Sequence, residues 1–141
     1  MLVKGDSFFG FLAAGVTEPW SPESHEQNTV VTKAAASATG AFARGGYSTV
    51  YDGVVGPWFL PTFADATGLT ELDYVVLLPS VETCVQRVLT RQDHGFADEA
   101  TTGKMHGEFA SAQLPRRHVI HDPPESAWGG RSHDRGASVD R

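Results

Sequence analysis

Three observations predict an α/β protein built on a parallel sheet in three layers, with helices covering both sheet faces. First, strand-like and helix-like segments alternate along the chain. Read in order they give strand, helix, strand, helix, strand, helix, helix, strand, and right-handed crossovers would bring such strands into one parallel sheet. Second, Val75-Val76-Leu77-Leu78 is apolar at every position, as in strands buried on both faces. Third, Asp6 and Asp52 close two strand candidates, and in parallel sheets ligands bind outside the carboxyl ends of the strands.

Leu2-Val3-Lys4-Gly5 reads as a short strand ending at Gly5-Asp6, followed by the apolar patch Phe8, Phe9, Phe11 and Leu12. Ser24 and Gln27 have the spacing of a capping box. Val30, Val31, Ala34, Ala35, Ala38 and Phe42 then recur at helical intervals up to Gly45-Gly46, which predicts a helix over about 23–44. Tyr47-Ser48-Thr49-Val50-Tyr51-Asp52, β-branched and aromatic between glycines, is a strand candidate. A short helix follows from Pro57-Trp58-Phe59 to Gly68, and the next strand runs from Asp73 to Leu78. Ser80 can cap a helix whose apolar stripe is Val81, Cys84, Val85, Val88 and Leu89, leaving Arg87 and Arg91 on another face. Asp98 can cap a further helix carrying Met105 and Phe109, weakened by Gly103 and Gly107. Arg117-His118-Val119-Ile120 supplies a last strand, and residues 121–141, poor in large apolar groups, are expected to be disordered.

Composition narrows the partners. In 141 residues with 40% hydrophobic content, one domain is expected, with a folded part over 1–120 and a tail over 121–141. The net charge of −6 opposes a phosphate backbone and no basic run offsets it, so nucleic acid is an unexpected partner. No apolar run approaches the ~20 residues of a membrane helix, and the first residues have no signal-peptide pattern. A cytoplasmic protein with no membrane association and a small-molecule ligand is expected. Cys84, the only cysteine, excludes an intramolecular disulfide.

The chemistry available at strand ends is that of carboxylates. One such acid can orient or deprotonate an acceptor hydroxyl, and another can hold water around Mg²⁺, which keeps several waters when bound. Asp6 and Asp52 are candidates for these roles; as a structural alternative, each caps the turn that follows it. Arg87 and Arg91, four apart on a polar helix face, can reach phosphate oxygens with planar, always-charged forks, and otherwise form a solvated face. Phe9 and Trp58 are candidates for an apolar substrate wall. Asp93-His94-Gly95-Phe96 would hinge a lid. His118 and His121, three apart on a strand, point to opposite faces and make zinc improbable.

Gly5-Asp6-Ser7-Phe8-Phe9, Tyr51-Asp52-Gly53-Val54-Val55-Gly56-Pro57-Trp58, and Tyr74 to Ser80 with Arg87 and Arg91 together resemble the AAA-type P-loop kinase-like proteins, in the company of gluconate kinase, shikimate kinase and chloramphenicol phosphotransferase. The likeness runs from about Leu2 to Ile120. It implies a sheet of the P-loop NTPase/nucleoside-kinase type and phosphoryl transfer from ATP, with Mg²⁺, to a hydroxyl of a small molecule. It implies Asp6 as acceptor-side ligand or base, Asp52 as the acid that organises magnesium through water, and Arg87 and Arg91 as lid arginines around the nucleotide phosphates.

The chain departs from that family at one motif and in its tail, where the family continues with a helix and residues from His121 onward have no amphipathic pattern. Gly-x-x-x-x-Gly-Lys-[Ser/Thr], whose backbone N–H groups and lysine cradle the phosphates, is absent from all 141 residues. The family's first strand and phosphate loop are thus missing, the sheet is expected to be incomplete, and catalysis by this chain is expected to be negligible. A start-site error upstream of Met1 with a frameshift near the end would produce these departures. A non-catalytic small-molecule-binding or protein-interaction module, or a fragment that folds poorly, would also carry these residues.

Overall fold

The structure is a computed structural model that describes residues 1–90 and 98–121. Its strands are β1 (Leu2–Lys4), β2 (Val50–Asp52), β3 (Val76–Leu77) and β4 (Val119–Ile120); its helices are α1 (His25–Arg44), α2 (Leu60–Thr67), α3 (Val81–Thr90) and α4 (Glu99–Ser111). Three 3-10 segments, Gly5–Phe11, Pro22–Ser24 and Arg116–His118, complete the order. Each expected element forms, and the strands are shorter than the apolar runs that announced them.

The single three-layer parallel sheet of the P-loop NTPase/nucleoside-kinase type is not what these strands build. They form two separate two-stranded parallel sheets, β1 with β2 and β3 with β4. Register pairs Leu2, Val3 and Lys4 with Val50, Tyr51 and Asp52, and Val76 and Leu77 with Val119 and Ile120. The physical reason is visible in burial. Val76 and Leu78 are buried, but Val75 and Leu77 are 55% and 53% exposed, so the continuous apolar run is covered on one face only. Leu2 and Val50, register partners, are likewise exposed, while Val3, next to Leu2 in β1, is buried. A three-layer sheet would cover both faces.

Around β1 and β2 the core is made by α1 and α2, the most extensively packed helix pair. Ala36, Val55 and Phe63 form a buried cluster, with Tyr51, Phe59 and Ala66 against it. The buried face of α1 is Val31, Ala35, Ala36, Thr39 and Gly40; Val30 is 64% exposed and Phe42 lies at the surface. The small residues of this face allow close approach. A Cβ on Gly40 would collide with the Thr67 backbone at the end of α2. Thr67 is itself fully buried, its hydroxyl donating to the Ala64 carbonyl at 2.7 Å, and its own carbonyl accepts from Arg44 Nη1. Gly68 then stops α2 in the left-handed region, φ 63°, where glycine has no steric penalty.

The start of α1 differs from the expected capping box. Ser24 makes no side-chain cap; its hydroxyl donates to the carbonyls of Pro19 and Ser21, both at 2.8 Å. Gln27 instead clasps Thr17, accepting from its N–H at 2.8 Å and donating to its carbonyl at 2.7 Å. These side chains bind the preceding loop to the helix. The cap of α4 forms as expected, Asp98 Oδ2 accepting from the Thr101 N–H at 2.8 Å.

α3 packs on α4 beside β3 and β4. Among the described residues, the contacts that join this part to the first include a hydrogen bond and a ring pair. Tyr74 Oη donates to the Val55 carbonyl at 2.7 Å, and the Trp58 ring meets Phe109 of α4 with centroids 5.4 Å apart. No described helix is long and apolar enough to cross a membrane.

Candidate functional site

Parallel pairing of β1 and β2 sets their carboxyl ends side by side, with Lys4 in register with Asp52. Asp6 lies two residues beyond, in the first turn of the 3-10 segment that follows β1. Both carboxylate residues are exposed, as ligand-facing acids must be. Between them lies a residue not singled out from the sequence: Tyr51, on the core-facing side of β2.

The Tyr51 ring packs against Phe63 with centroids 4.7 Å apart, and its hydroxyl reaches back over the glycines that follow the two strands. A Cβ on Gly53 would come within 2.9 Å of Tyr51 Oη, and one on Gly5 would clash with it outright. Gly5 and Gly53 therefore leave the room that the phenol fills. Burial, with the negative charges of Asp6 and then Asp52, pushes the Tyr51 hydroxyl up from 10.0 to about 12. The phenol thus stays a neutral donor at physiological pH. The charges of Asp6 and Asp52 both act on this one hydroxyl, so the two strand-end acids lie near the same group. The signal in the sequence was the pair of glycines, one after each strand.

The other candidates are distributed differently. Phe9 is half-buried in the 3-10 segment after Asp6. Trp58 is half-exposed, but its ring lies over Gly56 and against Phe109, so its role is at least partly to join the two parts of the molecule. Arg87 is in the last turn of α3, where its charge acts on Cys84. That helix packs on α4, whereas the acids belong to the part built by α1 and α2. Arg91 and the expected hinge Asp93-His94-Gly95-Phe96 lie outside the described residues, as do residues 122–141 of the expected tail. Cys84 is half-buried, and partial burial raises its thiol pKa against the opposing effect of Arg87.

Fit to the implied cofactors can be judged from the donor sets. Two exposed carboxylates suit a hydrated Mg²⁺ bound through one or two acids. Among the described residues no group of three or more His, Cys, Asp or Glu side chains could enclose a metal ion. The triphosphate of ATP finds no fit, because no segment of the sequence has the glycine spacing and lysine of a phosphate cradle.

No protein-family model matches the chain, and no curated protein matches it.

Proposed function

We propose that the chain is the acceptor-binding part of an ATP-dependent small-molecule kinase. The observation that carries this reading is the convergence of Asp6 and Asp52 on the Tyr51 hydroxyl at the carboxyl end of a parallel strand pair. In it, Asp6 accepts a hydrogen bond from the acceptor hydroxyl and orients it, and Asp52 holds the water shell of Mg²⁺. Tyr51 stays neutral beside both acids and has one hydroxyl proton to donate. Phe9 is available to the apolar body of the ligand. Arg87, on α3 away from these acids, has no role in this binding.

Phosphoryl transfer is positioning plus neutralisation of charge on the transferred oxygens, and the phosphate cradle supplies much of both. Without it, the chain binds the acceptor and does not turn it over. The test is a radioactive-phosphate transfer assay on residues 1–141 with Mg²⁺-ATP and a panel of hydroxylated small molecules, alongside calorimetric binding of the same panel. Binding that weakens in D6N and D52N, with no transfer, is the expected result. Turnover by this chain, or binding indifferent to both substitutions, would overturn the reading.

A second reading has its own support. The absence of a phosphate cradle also suits a non-catalytic binding module. In that case ligand binding is indifferent to Mg²⁺ and ATP, whereas an acceptor site organised around Asp52 responds to Mg²⁺.

A further inference from the structure

A cleft of about 330 Å³ opens where the carboxyl ends of β3 and β4 meet α4, within the range of small-ligand pockets. It shares no lining residue with the Asp6–Tyr51–Asp52 crevice. Its ionisable side chains are all basic: His106 from α4, Arg116 from the 3-10 turn before β4, and His121 just after β4. Among the described residues no carboxylate lines the cleft; Glu82 of α3, outside the lining, is close enough to His106 for their charges to interact, and Arg116 is the one permanent charge of the lining.

Both imidazoles are tethered by one nitrogen. His106 Nε2 is 2.9 Å from the Pro79 carbonyl, and His121 Nδ1 is 3.2 Å from the Leu78 carbonyl. A carbonyl only accepts, so these nitrogens carry the proton and donate. The ring atoms not engaged by these carbonyls are His106 Nδ1 and His121 Nε2, and in an imidazolium both ring nitrogens donate. The two anchoring carbonyls are consecutive in the chain, so both rings hang from one short stretch of backbone at the end of β3. Arg116 adds a permanent charge with a planar fork of donors. Phe109 and Leu114 supply an apolar wall.

From this we infer that the cleft binds a phosphate monoester with an apolar or aromatic body, its three acceptor oxygens met by His106, Arg116 and His121 and its body resting on Phe109 and Leu114. Three donor side chains match the three oxygens and the charge of about −2 that such a group carries. A carboxylate would leave one donor unused.

Phenyl phosphate is the probe. Titrated into the full chain labelled with ¹³C and ¹⁵N, it is expected to shift the ring resonances of His106 and His121 saturably and to bind more tightly than inorganic phosphate. Arg116→Met is expected to weaken binding about tenfold or more, since a hydrogen bond to a charged group is lost. Arg116 is exposed on a turn, and His121→Leu provides an independent variant with the same expected direction. The double variant D6N/D52N should bind phenyl phosphate as the wild type does. Absence of saturable histidine shifts, equal binding of inorganic phosphate, insensitivity to both R116M and H121L, or loss of binding in D6N/D52N would each overturn the inference.

Discussion

Gly40 shows how much a single missing side chain decides in this chain. Its Cα lies against the Thr67 backbone, where α1 and α2 come closest, and an added methyl group has no direction in which to relax. Gly40→Ala is therefore expected to destabilise the protein by about 1–3 kcal/mol, despite alanine's better helix propensity. Paired thermal melts of the two proteins check this; a stabilised G40A would show that the helices are not in contact there. Glycine inside a predicted helix reads from sequence as a weak point, and its packing role becomes visible only when the partner is known. The same holds for Tyr51. Alternation put it on one side of β2, but nothing local distinguished a phenol packed in the core from one poised between two acids. The exposure of Asp6 and Asp52 at the carboxyl ends of a parallel pair was legible because each stands where a strand-like run stops.

At the scale of elements, caps and breakers were read well where the side chain had one available partner. Asp98 accepts from the Thr101 hydroxyl and from the Thr101 N–H at the first turn of α4, and these hydrogen bonds hold its carboxyl below the usual aspartate range. A depressed folded-state pKa means stability that is present above the unfolded value and lost as pH falls through the folded one. Asp98→Ala is expected to lower the melting temperature near neutral pH, with the difference shrinking in acid once the wild-type carboxyl is protonated. Melts followed by circular dichroism across that range test it, and a constant difference would contradict it. Ser24 and Gln27 were misread because a capping box requires that no better acceptor be near. Here the loop over 17–21 folds back and offers backbone groups to both side chains. The buried stripe of α1 is displaced for a related reason. Helical spacing alone favours the larger residues Val30 and Phe42, whereas close packing on α2 selects the face of Ala35, Ala36 and Gly40.

For the whole molecule, the parallel pairing of neighbouring strands was legible and their assembly was not. Periodicity reports that a segment is apolar; it does not report whether both of its faces find a cover. Leu77 and Ile120 are register partners on the uncovered face of the β3–β4 pair, exposed by 53% and 43%. Leu77→Thr is accordingly expected to change stability by no more than about 0.5 kcal/mol, as for a surface substitution. Chemical denaturation of the two proteins decides it, and a loss of several kcal/mol would mean that the face is covered after all. The cationic cleft was equally hidden, because His106 and His121 come from elements separated in sequence and meet only where α4 crosses the ends of β3 and β4.

All of the functional reading depends on Asp6 and Asp52 acting together on one phenol. Tyrosine labelled with ¹³C at Cζ resolves each of the three tyrosines, and titration of the Tyr51 resonance in the wild type, D6N, D52N and D6N/D52N measures that coupling. The expected midpoint is about 12 in the wild type, lower in each single variant with the larger fall in D6N, and lowest in the double variant, though still raised by burial. A Tyr51 midpoint that stays the same in all four proteins would show that the acids do not share a crevice, and the acceptor site proposed for this chain would not exist.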